Sequence, residues 1–255
     1  MTAPESPPEP QLPAFGAARA LKILGGFIVA QLLGTVIVFI PIQAYYASRI
    51  SDSQQLADHV QSIATIPSAL LGTAFGMLLM FRMTRRSLPG PLASGALHSV
   101  GWTRTSVRTL GMAASIGLLL SVLVVFVLIP LFPPTPEQAS GYLSQAAATP
   151  GLVRLGWAIL AVGIAPPVEE FLFRGVLLAG FARSWGPAIA ATVVTSLFVV
   201  LHMLEVQDYW PGLAGIALMA IAALEVRRGT GSLGPAIALH AAYNLLPVVA
   251  VYASA

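Results

Sequence analysis

Seven stretches of this chain are apolar over lengths close to the hydrocarbon thickness of a bilayer, and that property decides what it can fold into. They run from Leu21 to about Ala47, about Val60 to Phe81, Leu110 to Phe132 and Leu152 to Ala182, then about Pro187–Leu204, Pro211–Val226 and Leu233–Tyr252. In lipid a spanning segment must satisfy its own backbone polar groups, so such runs are read as helices. The expected fold is all-α, a polytopic membrane helical bundle of about seven to eight transmembrane helices. One of them is expected to be broken near Pro166-Pro167, where proline removes a helical hydrogen bond and clashes with the preceding turn. Composition agrees: 56% of residues are hydrophobic and only 9% charged, against roughly 25% charged in soluble domains.

Residues 1–18, rich in Pro, Glu and Ala and without periodicity, read as a disordered cytoplasmic tail, and residues 19–255 as the transmembrane domain. The first run is too long for a secretory signal and is read as a retained helix. In the second, Gly72 and Gly76 have the small-xxx-small spacing that lets another helix approach. Arginine and lysine set the orientation. Arg19, Lys22, Arg82, Arg85, Arg86, Arg104, Arg108, Arg183, Arg227 and Arg228 fall at one end of the layout, Arg49 and Arg154 at the other. The N-terminus is therefore expected in the cytoplasm. The opposite links carry Asp52, Asp58, Glu137, Glu205 and Asp208. The net charge of +3 reflects span ends and not a nucleic-acid surface, so no nucleic acid is expected as a partner. The chain holds no cysteine, which excludes disulfides, thiolate metal sites and cysteine nucleophiles and suits a bacterial cytoplasmic membrane.

Within the fourth run lie Glu169, Glu170 and Arg174. An ionisable group at bilayer depth costs about 2.5–3.5 kcal/mol on insertion scales, so each needs a partner, a cavity or a task. Glu170 and Arg174 stand one helical turn apart on the same face and read as an internal ion pair, whereas Glu169 points about 140° away from Arg174. His202 follows Phe198 by one turn on the fifth run, and His240 and Asn244 share a stripe on the last. Counted at about 1.5 Å per residue, Glu169 and His202 come out roughly 20 Å from the cytoplasmic side, Asn244 slightly less, and His240 a turn and a half lower. On that count the four can meet around one cavity. A carboxylate held beside imidazoles can bind and deprotonate a water, while histidine and asparagine donors stabilise the oxyanion formed when that water attacks an amide carbonyl. His59 and His98 fall in links and are expected to be solvated. Thr195 and Ser196 are expected to bond the helix backbone, and Glu225 with Arg227 and Arg228 to anchor at the interface.

Glu169-Glu170-Phe-Leu-Phe-Arg174, Phe198-Val-Val-Leu-His202 and His240-Ala-Ala-Tyr-Asn244 resemble the EExxxR, FxxxH and HxxxN/D motifs of the CPBP family. That family, also called Abi, includes the type II CAAX prenyl endopeptidases and bacteriocin-processing or self-immunity proteins. The resemblance covers about residues 110–250. It implies an intramembrane endopeptidase acting on a membrane-associated peptide or protein, one that can be lipid-modified. Carried over, Glu169 is the base on water and His202 its catalytic partner. His240 and Asn244 form the oxyanion-stabilising or ligating pair, and Glu170, Arg174 and Phe198 support them. Either no cofactor or a divalent metal such as zinc is expected, with Glu169, His202, His240 and Asn244 as candidate ligands. The metal-free glutamate mechanism is preferred. The alternative from another class is a non-catalytic membrane scaffold or self-immunity protein of the same fold, in which the polar cluster only holds helices together.

Overall fold

The computed structural model describes residues 15–88, 96–139, 151–206 and 209–253, and all regular structure among them is helical. Seven long runs follow in order: α1 (Ala17–Ala47), α2 (Ser53–Arg85), α3 (Val107–Leu131), α4 (Leu152–Trp185), α5 (Pro187–Val206), α6 (Trp210–Thr230) and α7 (Leu233–Ala253). Six are long and apolar enough to cross a membrane by length and composition, and α5, 20 residues long, is apolar over Pro187–Met203. Large apolar side chains such as Leu32, Ile40, Leu78, Leu119 and Phe126 stand exposed, as they do when the solvent around a bundle is lipid.

Alternate helices run in opposite directions, so the basic span ends gather. At that end Arg19 Nε donates to Ser87 Oγ at 2.7 Å, the Ala17 amide donates to Ser184 Oγ at 2.8 Å, and the Leu233 amide donates to the Gly101 carbonyl at 2.8 Å. At the other end Tyr46 packs edge-on against His59, Phe132 against Trp210, and the Tyr209 hydroxyl donates to the Phe132 carbonyl at 2.6 Å. Helices α1 and α2 form one long antiparallel hairpin. Its tightest point is Gly34 against Gly72, where a Cβ on either residue would strike the facing backbone, so glycine spacing does permit the approach expected of it. Gly72→Leu is therefore expected to spread the hairpin and lower stability in detergent by about 1–3 kcal/mol, read from thermal unfolding. Gly25→Ala serves as the control on the same hairpin, since a Cβ at Gly25 meets only open space.

Several sequence expectations change in detail. Of the tail expected over 1–18, residues 1–14 lie outside the described residues, while Phe15 and Ala17 are buried against the bundle and α1 begins at Ala17. Helix α2 starts seven residues before Val60, because the Asp52 carboxylate caps it by accepting from the Gln55 amide at 2.8 Å. That places His59 inside α2, against the Tyr46 ring, and not in a solvated link. His98 is exposed on a 3₁₀ turn, Ala96–Val100. The side chains of Glu137, Glu205 and Asp208 lie outside the described residues.

The interruption at Pro166-Pro167 takes the form of a change of winding and not a gap. A π-helical stretch, Ile159–Ile164, leads into α-helix at Ala165–Glu170, and a second π stretch, Phe171–Leu177, follows before α-helix resumes at Leu178. The wider i→i+5 turns accommodate two residues without N–H donors while α4 stays one rod.

Candidate active site

The second π stretch of α4 is buried along its whole length, from Phe171 to Leu177, and fixes the side chains on either side of it. Glu170 and Arg174 are both fully buried and form the expected pair, Nη1 to Oε1 at 3.0 Å. The guanidinium is held from two further directions, by the Ala220 carbonyl of α6 at 3.0 Å and by the Phe198 ring of α5, 4.4 Å from its centroid. Such planar, multidirectional contact suits arginine and not lysine.

His240 of α7 lies between the two glutamates. Its Nδ1 is 2.9 Å from Glu170 Oε1, and its Nε2 is 3.8 Å from Glu169 Oε2. A carboxylate at Nδ1 assigns the proton to that nitrogen and turns Nε2 toward Glu169. On α5, His202 Nδ1 sits 2.7 Å from the carbonyl of Phe198, which can only accept, so Nε2 again faces Glu169, at 3.7 Å from Oε2. The imidazole stacks on the Phe198 ring with centroids 4.2 Å apart, and the same ring meets His240 edge-on at 5.9 Å. Phe198 thus spaces both histidines and caps Arg174. At 3.7–3.8 Å, Glu169 is beyond direct hydrogen-bond distance of either Nε2 and near enough for one water to bridge all three.

A cavity of about 360 Å³ opens on this cluster and is lined by Glu169, His202, His240 and Asn244 together. The four residues from three helices therefore converge. Asn244 donates from Nδ2 to the Ala161 carbonyl at 2.8 Å, two turns before Glu169 on α4, and so stands further along the cavity than His240. Counting rises put His240 well below Glu169 and Asn244 just short of it, whereas His240 stands level with both glutamates and Asn244 reaches back to Ala161. The reason lies at the basic end, where α7 starts well inside the end of α4. Gly175 is so close to Val100 and Leu233 that a Cβ there would lie 3.1 Å from the Val100 carbonyl and 3.4 Å from the Leu233 side chain. The part of α4 that follows Gly175, up to Trp185, continues past the first turn of α7, and His240 is lifted to the level of both glutamates.

Sequence reasoning missed the opposite wall. Gln31 of α1 and Ala69 and Thr73 of α2 line the cavity, with Gln31 Nε2 donating to Thr73 Oγ1 at 3.1 Å. A glutamine and a threonine midway along apolar runs were the available signal. Tyr243, inside the third motif, also lines the cavity, and neither Thr195 nor Ser196 does.

The donor set bears on a metal. Two ligands 2.0–2.1 Å from a tetrahedral zinc lie about 3.4 Å apart, less than the 3.7 and 3.8 Å measured from Glu169 Oε2 to the two Nε2 atoms. Among the described residues no group of three or more His, Cys, Asp or Glu is placed to hold a metal ion. The side chains that would hold a divalent ion here are Glu169, His202, His240 and Asn244, which all line the cavity.

Residues 151–246 match the family model described as type II CAAX prenyl endopeptidase Rce1-like. No curated protein and no solved structure matches the chain.

Proposed function

Proceeding from a chain whose residues 151–246 are Rce1-like, a segment that holds all three motifs, we propose an intramembrane endopeptidase in which Glu169 activates the water that hydrolyses a peptide bond. The observation that carries this reading is the convergence of Glu169 Oε2 with two imidazole Nε2 atoms on a cavity. Side chains that only held helices together would be packed around, as protein interiors are, and would not line 360 Å³ of space.

The water donates one hydrogen bond to Glu169 Oε2 and one to an imidazole Nε2, which aims its oxygen into the cavity. Its oxygen adds to the scissile carbonyl carbon as its proton passes to Glu169. The carbonyl oxygen then carries the negative charge. Asn244 still has a second amide N–H after donating to Ala161, and that hydrogen is available to this oxygen. The carbon–nitrogen bond breaks as Glu169 returns its proton to the leaving nitrogen, releasing an amine and a carboxylic acid. Charge fits this chemistry. Glu169 and Glu170 against Arg174 leave one negative charge, the charge a proton acceptor needs.

The test is cleavage of a quenched, acyl-anchored peptide by the reconstituted protein. His202→Ala is expected to lower the rate by about 10²-fold with the fold retained, and a divalent-metal chelator to leave the wild-type rate unchanged. Absence of cleavage by the wild-type protein would favour the scaffold reading, undiminished cleavage by His202→Ala would remove that histidine from the mechanism, and loss of cleavage with the chelator would require a metal.

A further inference from the structure

The cavity has a direction. On α4 every lining residue precedes Glu169, beginning at Trp157, and on α7 every one follows His240, ending at Val248. On α6 the lining stops at Met219, and on α5 His202 alone contributes. In all four helices no lining residue lies between these positions and the basic end. Below them the space is filled: Phe171, Leu172, Arg174, Val176 and Phe198 are buried, and Trp102 packs edge-on against Phe171 at 6.1 Å. The turn before Trp102 closes that end further through the contact of Val100 with Gly175 and the hydrogen bond from Leu233 to Gly101. Ten of the thirteen lysines and arginines sit beyond this floor, the distribution of a cytoplasmic face.

The geometry points to a cavity that receives its substrate from the non-cytoplasmic side of the membrane. The substrate class is a membrane-anchored peptide whose scissile bond lies in or just outside that half of the bilayer, and not a segment presented at the cytoplasmic surface. Apolar walls with Gln31, Thr73 and Asn244 among them suit an extended peptide, whose backbone needs polar partners wherever its side chains are apolar. The chemistry of this inference rests on the protease reading, whereas the route of entry does not.

Because the chain contains no cysteine, single-cysteine variants report the route without background. Ala69→Cys and Ala161→Cys place a thiol in the cavity, and the exposed Ser53→Cys and Gly229→Cys mark the two membrane faces. A charged, membrane-impermeant maleimide is applied to sealed vesicles of each orientation. Both cavity thiols are expected to react when the Ser53 face is exposed and to resist when the Gly229 face is exposed, with Ser53→Cys labelled at the cell exterior. Reaction from the Gly229 face, reaction from neither face, or labelling of Ser53→Cys only from the cytoplasm overturns the inference. The acyl-anchored quenched peptide, added to each face in turn, separates the two readings. Cleavage only from the Gly229 face overturns the route, while thiol labelling from the Ser53 face with cleavage from neither sinks the protease reading and leaves the route standing.

Discussion

Glu169→Gln lowers peptide cleavage by roughly 10²–10⁴-fold while the protein keeps its fold. The substitution exchanges one carboxylate oxygen for an amide nitrogen of nearly the same size, so the cavity and the helix packing around it persist. What disappears is the group that takes the proton from water and returns it to the leaving nitrogen. Glu169 approaches the two imidazoles at 3.7 and 3.8 Å, and a glutamine keeps the same shape between them. The effect should fall on kcat more than on KM, because a proton acceptor acts in the transition state and not in binding. Steady-state kinetics beside thermal unfolding of the same preparation checks both halves. Cleavage at the wild-type rate would mean that another group activates the water.

Arg174→Ala produces the largest loss of stability, about 3–5 kcal/mol, because it strips a buried carboxylate of its counter-ion. Arg174 is fully buried and joins four elements of the site: Glu170 through Nη1, the Ala220 carbonyl through Nη2, the Phe198 face, and His240 indirectly through the shared Glu170 oxygen. Alanine leaves Glu170 charged in an apolar interior and opens a space the size of the missing side chain. Lysine retains the charge without the flat, forked head, so Arg174→Lys should recover only part of the loss. Glu170→Gln/Arg174→Leu removes both charges and should be more stable than Arg174→Ala, though with His240 less firmly held. Thermal unfolding in detergent ranks the three, and an Arg174→Ala protein as stable as wild type would show that the pair is dispensable for the fold.

Stability and chemistry thus divide between two adjacent residues. Glu170 faces Arg174 and is spent on structure, while Glu169 faces the cavity. That division was legible from helical periodicity alone, because positions four apart share a face whatever the tertiary context. It survived the change to π-helical winding just after Glu170, which the prolines announced only as a fault in the helix. Phe198 was legible as a neighbour of His202 but not as the ring that also covers Arg174 and meets His240. Gln31 and Thr73 were not singled out, since a polar residue in an apolar run becomes meaningful only when the facing wall is known.

What the sequence determined by itself is the set of apolar rods, the gathering of positive charge at one end of them, and the pairing of Glu170 with Arg174. All of these follow from local composition and from a period of 3.6 residues. The tertiary structure alone decided that His240 stands level with both glutamates and that the cavity closes toward the basic end. Both depend on how deeply the turn around Val100 and the start of α7 are set against Gly175. Such depth is a packing relation between residues more than fifty positions apart, and no window along the chain contains it.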